Sequence, residues 1–550
     1  MMLNGPWEFE ITKKRGLPTF FSREILVPFA VETSLSGVHK EVAADDILHY
    51  RKIFTKEKSP TERAILHFDG VDQICDVFFN GRKIGRHIGG YLPFAYDVTE
   101  IYQEENEIYL EVTDDVQNDV LPRGKQSKHP GGIWYTSTSG VYQSVWLEIV
   151  PEDYISSFRM TPNVNEGKLH LSFSTFGDPY PMQIVARRKG HVVAHALLLQ
   201  GNEIDLVLPK PLDLWSPEDP NLYDLEIYAK EDYITSYFAM REYGTIDYQG
   251  HKVFALNGKP YFLSGVLDQG YVPESGLTYP SVEAMEFDLK LLKEYGFNMV
   301  RKHIKLEPML WYSVADRLGL IVFQDFVNGG GKYNTFLFAT GTFFQPKRRD
   351  DKPSFIQSVG RENPVSRAFF EQTMDPFVRH LYNVPSIASY VLFNEAWGQF
   401  ESKRLEQKLR ALDPTRLVDA VSGWCDQGGG DFDSHHIYFR KVHLKPSKSR
   451  ILFLSEFGGY SLHLKEHSWS KKVFGYKRFK NKDKLNKALK KLYEEQLIPL
   501  RDKAGLAALV YTQLSDVEEE TNGLVTYDRK VKKADPELFR ALNEELKFHD

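Results

Sequence analysis

The 550-residue chain reads as a multidomain protein: an all-β jelly-roll sandwich, then an immunoglobulin-like β-sandwich, then a (β/α)8 TIM barrel. Three observations predict this. Up to about residue 152, apolar residues recur at every second position, as in Ile108, Leu110 and Val112, the period of a half-buried strand. The same period continues to about residue 244, with Leu169, Leu171 and Phe173 as its clearest run. Beyond that point helical spacing alternates with short apolar runs, the pattern of repeated strand–helix units. The boundaries read as 1–152, 153–244 and 245–550, in keeping with about 150 residues per domain.

In the first domain, Asn80-Gly81 separates two alternating segments and suits the positive φ angles of a tight hairpin turn. Val145, Leu147 and Ile149 form its last strand. In the second, Lys189-Gly190 is a turn and LWSPEDPNLY, with two prolines, connects strands. About ninety residues of this kind suit one immunoglobulin-like sandwich.

In the third domain, Met285, Leu289 and Leu292 lie on one helix face before Gly296, and residues 298–304 resume as a strand. Leu310, Val314 and Leu318 lead to LIVFQDF; Phe370, Met374, Phe377 and Leu381 lead to IASYVLF; Leu405, Leu409 and Leu412 lead to RLVDAVSG. Adding YFLSGV, DSHHIY, ILFLSEFGG and LAALVYTQ gives eight strands, the number that closes this barrel. Helices are missing before DSHHIY and before ILFLSEFGG. Residues 328–364 form a long glycine-rich, then aromatic segment after a barrel strand, placed to shape substrate at the C-terminal mouth. The lysine-rich stretch 471–491 reads as a solvated helix and loop.

The charge balance, 69 Lys plus Arg against 75 Asp plus Glu, leaves −6 and argues against a nucleic-acid or anionic-membrane partner. The apolar runs are far shorter than the roughly 20 residues that cross a bilayer. No basic segment followed by an apolar one opens the chain, and Cys75 and Cys425 are two widely separated thiols, so a cytoplasmic setting is expected. The β domains can pack within one chain or between copies, which leaves a homo-oligomer compatible with the sequence.

Barrel enzymes carry their reactive groups where strands end at the C-terminal face. Glu395 follows the fourth strand in FNEAWGQF, and Glu456 lies in the seventh, in ILFLSEFGG. A carboxylate at the end of a buried run is costly to desolvate unless it is paired or functional. Two of them facing each other supply what cleavage of a glycosidic bond needs: one proton donor for the departing oxygen, and one nucleophile for the anomeric carbon.

With these two glutamates in place, the chain resembles glycoside hydrolase family 2, the family of β-galactosidases, β-glucuronidases and β-mannosidases. The resemblance is carried by ETSLSG, NGRKIGRHIGGYLPFAYDVT and SGVYQSVWLE, then by LNGKPYFLSGVLDQGY, FNEAWGQF, SEFGG and DVEEETNGL, in that order along nearly the whole chain. It implies the same order of three domains, with Glu395 as general acid/base and Glu456 as nucleophile.

The resemblance also implies supporting roles. Asn394 contacts the sugar 2-hydroxyl, Arg301 keeps Glu456 ionised, and the Tyr438 hydroxyl contacts the nucleophile, with His436 beside it in a His-x-Tyr arrangement. His303 stands where many members have a sugar-binding histidine, although Arg-Lys-His is one residue shorter than the usual Arg-x-Ser-His. Asp268 and Gln269 are candidates for the sugar hydroxyls, while Trp397 and Trp424 either stack on the sugar or pack in the core. Asp431, Asp433, His435 and His436 could be read as metal ligands, but they lack a recognisable zinc spacing. No metal and no organic cofactor are expected, because an acid/base and a nucleophile suffice.

The resulting expectation is a retaining exo-β-glycosidase acting on a small carbohydrate, a β-galactoside first. The Asn-x-Lys element of the family's β-glucuronidases is not evident in DVEEETNGLVTYDRKVKK. β-Glucuronidase, arabinosidase, mannosidase and galacturonidase activities stay open. The rival from another class is a noncatalytic carbohydrate-binding protein.

Overall fold

A computed structural model describes residues 1–344 and 346–548. In the first sandwich a six-stranded antiparallel sheet runs Arg23–Val27, Gly5–Thr12, Ile47–Thr55, Glu105–Thr113, Ile74–Phe79, Arg82–Ile88. It faces a three-stranded sheet of Val145–Pro151, Glu62–Phe68 and Phe94–Asp97. Alternation buries Ile108, Leu110 and Val112 from one sheet and Leu66, Phe68 and Leu147 from the other in a single core. Cys75 lies in it, and Cys425 is buried in the barrel domain. Asn80 and Gly81 have φ of +47° and +75°, as the tight turn requires.

The second sandwich packs Tyr154–Asn163, Lys168–Phe176 and Glu203–Val207 against His191–Leu198, Met182–Arg188, Tyr223–Ala229 and Asp232–Phe238. Leu169, Leu171, Ile184, Leu225 and Ile227 fill the space between the two sheets.

The eight barrel strands expected from the sequence are present. In chain order they are Leu263–Asp268, Met299–Lys302, Ile321–Asp325, Ile387–Val391, Leu417–Asp419, Phe432–Ile437, Ile451–Gly458 and Leu506–Thr512. They form one parallel sheet in the order five to one, then eight, seven, six. Both faces are covered, which is why the strands read as continuous apolar runs. The seam between strands five and six is held by Asp431: its N–H donates to the Val418 carbonyl at 2.8 Å, and its carboxylate accepts the Val418 N–H at 2.7 Å. The sequence allowed Asp431 as a metal ligand, and the structure gives it this structural task.

Helices α1 (Val282–Glu294), α2 (Met309–Leu318), α5 (Pro364–Leu381) and α6 (Ser402–Leu412) carry the expected apolar faces inward. Among the described residues no helix joins strands five and six or strands six and seven. The hairpin Tyr243–Tyr248 and His251–Leu256 plugs the N-terminal end of the barrel, where Val253, Phe254 and Leu256 meet Phe323, Phe432 and Phe453. Chemistry is thereby left to the opposite, C-terminal end.

Residues 328–364 contain two helices, α3 (Thr335–Phe344) and α4 (Pro353–Ser358). Their start is tied to the first sandwich: the Arg123 and Gly124 N–H groups both donate to the Asn328 carbonyl, at 3.1 and 2.9 Å. Glycine is required at 329, where a Cβ would sit 2.5 Å from the Leu121 carbonyl oxygen. The lysine-rich stretch is a solvated loop and helix, as expected, with its lysines exposed throughout. Its latter part is helical, in α7 (Lys482–Leu492), while in the loop Lys477–Arg478 pairs with Tyr460–Ser461 and Tyr476 is half-buried at the barrel mouth. No helix of the described residues is long and apolar enough to cross a membrane.

Candidate active site

The C-terminal ends of the barrel strands bring together residues that are far apart in sequence. Glu456 is in strand seven, Arg301 in strand two and His436 in strand six, while Glu395 lies four residues beyond strand four. Glu395 and Ala396 have φ of +51° and +59°. Two successive non-glycine residues in this region are uncommon, and such strain clusters at functional sites. Hydrogen bonds enforce it. The Glu395 N–H donates to the Ser422 carbonyl at 2.8 Å, the Trp397 N–H to the Asn394 carbonyl at 3.0 Å, and the Tyr333 hydroxyl to the Glu395 carbonyl at 2.7 Å.

His436 stands between the two glutamates. Its Nδ1 is 2.9 Å from Glu395 Oε1 and 3.5 Å from Glu456 Oε2, and its Nε2 is 3.0 Å from Ser422 Oγ. Ligand atoms of Glu395, His436 and Glu456 all fall within 4.8 Å of one another. That spacing also suits a metal ion, but both oxygens of Glu456 are already engaged, by Arg301 and by the Tyr438 hydroxyl.

Arg301 is fully buried, and each edge of its guanidinium has a task. Nε and Nη2 donate to the two oxygens of Asp325 at 2.9 and 3.0 Å. Nη2 also donates to Asn394 Oδ1 at 2.9 Å, and Nη1 to Glu456 Oε1 at 3.2 Å. Burial alone would push the Glu456 carboxyl up, but the charges of His436 and Arg301, with the Tyr438 hydroxyl, hold it well below the usual carboxylate range. Arg301 is the permanent cation of this set. Burial pushes His303 down to about 4, so at neutral pH that imidazole contributes no charge.

Tyr438 donates to Glu456 and lies 2.9 Å from Thr512 Oγ1. Its ring stacks on Tyr476 with centroids 3.7 Å apart and planes 5° from parallel. Burial and the nearby Glu456 charge raise the Tyr438 hydroxyl well above its ordinary value, so it stays a donor to the carboxylate.

Other predicted residues are placed differently. His303 Nδ1 is 2.8 Å from Asp325 Oδ2, in the core beneath the site, instead of reaching outward to sugar. Asp268 accepts from Lys302 Nζ at 2.5 Å and from the Gly270 N–H at 2.8 Å, at one end of a buried network that continues to Glu307 and Lys305. Gln269 donates to Gln513 at 2.7 Å. Trp424 is 1% exposed and lies edge-on to His436 at 6.0 Å, a packed wedge and not an open sugar platform. Trp397 is also buried and meets the edge of Trp134 at 5.1 Å.

Sequence reading missed Asp325, Tyr333, Tyr476 and the sandwich loop 123–136 that carries Trp134. Asp325 was visible as a third strand-end carboxylate in LIVFQDF. The loop is pinned by three consecutive glutamates. Glu518 accepts the Thr136 N–H at 2.9 Å, Glu519 the Gly132 N–H at 3.0 Å, and Glu520 the Tyr135 hydroxyl. Contacts that join residues almost 400 positions apart leave no local periodicity.

Two family models match the chain: "Glycosyl hydrolase 2 galactose-binding domain-like" at residues 35–141 and "Glycosyl hydrolases family 2, TIM barrel domain" at residues 249–446. Among relatives, a β-glucuronidase of Bacteroides fragilis is 26% identical over 460 residues, 77% of this chain and 61% of that protein. A β-galactosidase of Thermoanaerobacter pseudethanolicus is 25% identical over 320 residues, 55% of this chain and 42% of that protein. The aligned region spans between about a third and three fifths of the first of these curated relatives. Among solved structures, the Ruminococcus gnavus β-glucuronidase superposes with a TM-score of 0.77 at 16% identity, covering 99% of this chain and 97% of that one. A galacturonate-bound β-galacturonidase from Eisenbergiella tayi does so at 0.70 and 18%, covering 99% and 96%. At such identities the structural likeness shows the fold. With two models of one family covering more than half its residues, sandwich first and barrel after, the chain belongs to glycoside hydrolase family 2.

Proposed function

We propose that the protein is a retaining exo-β-glycosidase in which Glu456 is the nucleophile and Glu395 the general acid/base. The observation that carries this reading is the convergence of carboxylate oxygens of the two residues to within 4.8 Å, around His436. Retaining enzymes hold their carboxyls about 5–5.5 Å apart, whereas inverting ones leave about 6.5–9.5 Å for a water molecule.

Arg301 and Tyr438 keep Glu456 anionic and aimed, ready to attack the anomeric carbon. Glu395 gives its proton to the departing oxygen, and a glycosyl ester forms on Glu456. Glu395, now a carboxylate, takes a proton from the water that resolves the ester. Asn394, fixed by Arg301, is placed for the 2-hydroxyl. The sandwich loop 123–136 and residues 328–364 wall the mouth on two sides, which favours removal of a terminal unit over cleavage within a chain.

The test is a panel of nitrophenyl β-glycosides assayed with the wild type and Glu456→Gln. Hydrolysis of at least one member, abolished by Glu456→Gln, supports the reading. Activity that survives the substitution rejects the nucleophile, and sugar binding with no turnover across the panel supports a noncatalytic binding protein. The sequence puts a β-galactoside first, whereas the named relatives are divided between β-galactosidases and β-glucuronidases.

A further inference from the structure

Lys125 lies on the sandwich loop at the barrel mouth. It is half-buried, and among the described residues no carboxylate comes within ion-pair distance of its ammonium. Nζ sits 5.5 Å from the ring centroid of Trp134, whose edge meets Trp397, two residues beyond Glu395. The loop cannot swing freely, because Gly132, Tyr135 and Thr136 are each bound by one of Glu519, Glu520 and Glu518. The loop closes on itself where Gln126–Ser127 pairs with Tyr135–Thr136, and the Tyr135 N–H donates to the Lys125 carbonyl at 2.9 Å. The backbone of Lys125 is therefore fixed while its ammonium has no carboxylate within ion-pair distance among the described residues. Of the other cations nearby, Arg301 is divided between Asp325, Asn394 and Glu456 and Lys302 between Asp268 and Glu307, while Arg123 lies over the Trp134 and Trp397 rings at 5.1 and 5.5 Å and donates Nη1 to the Gln126 carbonyl.

The position of Lys125 relative to the reacting groups is felt electrostatically. Burial pushes the Glu520 carboxyl up, and Lys125 is the strongest influence opposing that shift. Its charge also reaches His303, beneath the site. A half-buried ammonium on an aromatic face, without a carboxylate partner, is completed by an anion. A sugar carboxylate of the substrate supplies that anion, and one entering beside the Glu456 charge needs such a cation.

We infer that Lys125 is a specificity-determining residue that selects a terminal sugar bearing a carboxylate, a β-linked hexuronic acid, over its neutral counterpart. This rests on the glycosidase reading above and adds to it the substrate class and the residue that recognises it.

The test uses pairs of substrates that differ only at C6: nitrophenyl β-glucuronide against β-glucoside, and β-galacturonide against β-galactoside. In the wild type kcat/KM favours the acid member of at least one pair by about 100-fold or more, and rising ionic strength increases its KM. Lys125→Gln lowers that preference at least tenfold, chiefly through KM, and Lys125→Arg restores part of it. A wild type that prefers the neutral member of both pairs, or a preference unchanged in Lys125→Gln, overturns the inference and leaves the glycosidase reading standing. If no glycoside is hydrolysed, the glycosidase reading fails and calorimetry decides the role of Lys125. Binding of glucuronate or galacturonate that is lost in Lys125→Gln supports it; no binding of either acid to the wild type overturns it.

Discussion

Arg301 Nη1 lies 3.2 Å from Glu456 Oε1, and the opposite edge of the same guanidinium is gripped by both oxygens of Asp325. The cation that keeps the nucleophile ionised is thus positioned by a second carboxylate on the adjacent strand, so charge and geometry at Glu456 depend on one residue. A flexible ammonium could supply the charge but not the fork.

Replacing Arg301 by Met removes that charge. Glu456 is held below its unfolded value, so its contribution to stability is present above about pH 4.3 and is lost as pH falls through its folded value. Without Arg301 its pKa rises, and the acid limb of the kcat/KM profile moves to higher pH. Asp325 is left buried without its cation, a loss of about 3–5 kcal/mol, so Arg301→Lys is the companion variant, with a smaller shift. A pH–rate profile and a melting curve for each variant check both effects.

Glu395→Gln and Glu456→Gln separate the two roles. A general acid contributes about 10²–10⁴-fold, and mainly where the leaving group is a poor one. Glu395→Gln therefore loses alkyl glycosides and retains most of the first step with dinitrophenyl glycosides, and added azide traps a β-glycosyl azide. Glu456→Gln is inactive on both classes. Rates against leaving-group acidity, with product identification, distinguish the two variants.

Tyr438→Phe removes the donor to Glu456 and keeps the ring on Tyr476. A hydrogen bond to a charged group is worth about 1.5–3 kcal/mol, so kcat falls by roughly 10–150-fold. The melting temperature stays close to that of the wild type. Steady-state kinetics beside calorimetry test the combination.

A buried carboxyl cluster in the first sandwich gives the protein an alkaline weakness. Ser139 Oγ is 2.5 Å from Glu32 Oε1 and 2.6 Å from Asp114 Oδ2. One hydroxyl proton cannot serve both, so one of the carboxyls is itself protonated. Burial pushes Glu32 up to about 8 and Asp114 to about 6. For groups raised on folding, stability is greatest below the unfolded values near pH 4 and is lost as pH rises through the folded ones. Glu32→Gln flattens this loss, so its melting temperature exceeds that of the wild type at pH 9 more than at pH 5. Calorimetry across that range is the check.

The barrel was legible because each strand is buried on both faces and each helix is amphipathic, so both signals are local. Glu395 and Glu456 were legible because carboxylates at the ends of apolar runs stand out. Tyr476 was hidden in a lysine-rich stretch whose composition points to solvent, although one half-buried ring in it stacks on Tyr438. Trp424 was left open between stacking on sugar and core packing, since a tryptophan beside a strand end has the same sequence pattern whether it faces sugar or packs behind His436. Glu32, Asp72 and Asp114 are separated along the chain, and only the folded sandwich brings their charges together.

The central claim, that Glu395 and Glu456 flank one acetal at the spacing of a double displacement, is tested most directly by proton NMR during hydrolysis of a substrate the enzyme accepts. The account predicts that the first anomer to appear is β, with the α form growing in only by mutarotation. An α anomer formed first would contradict it.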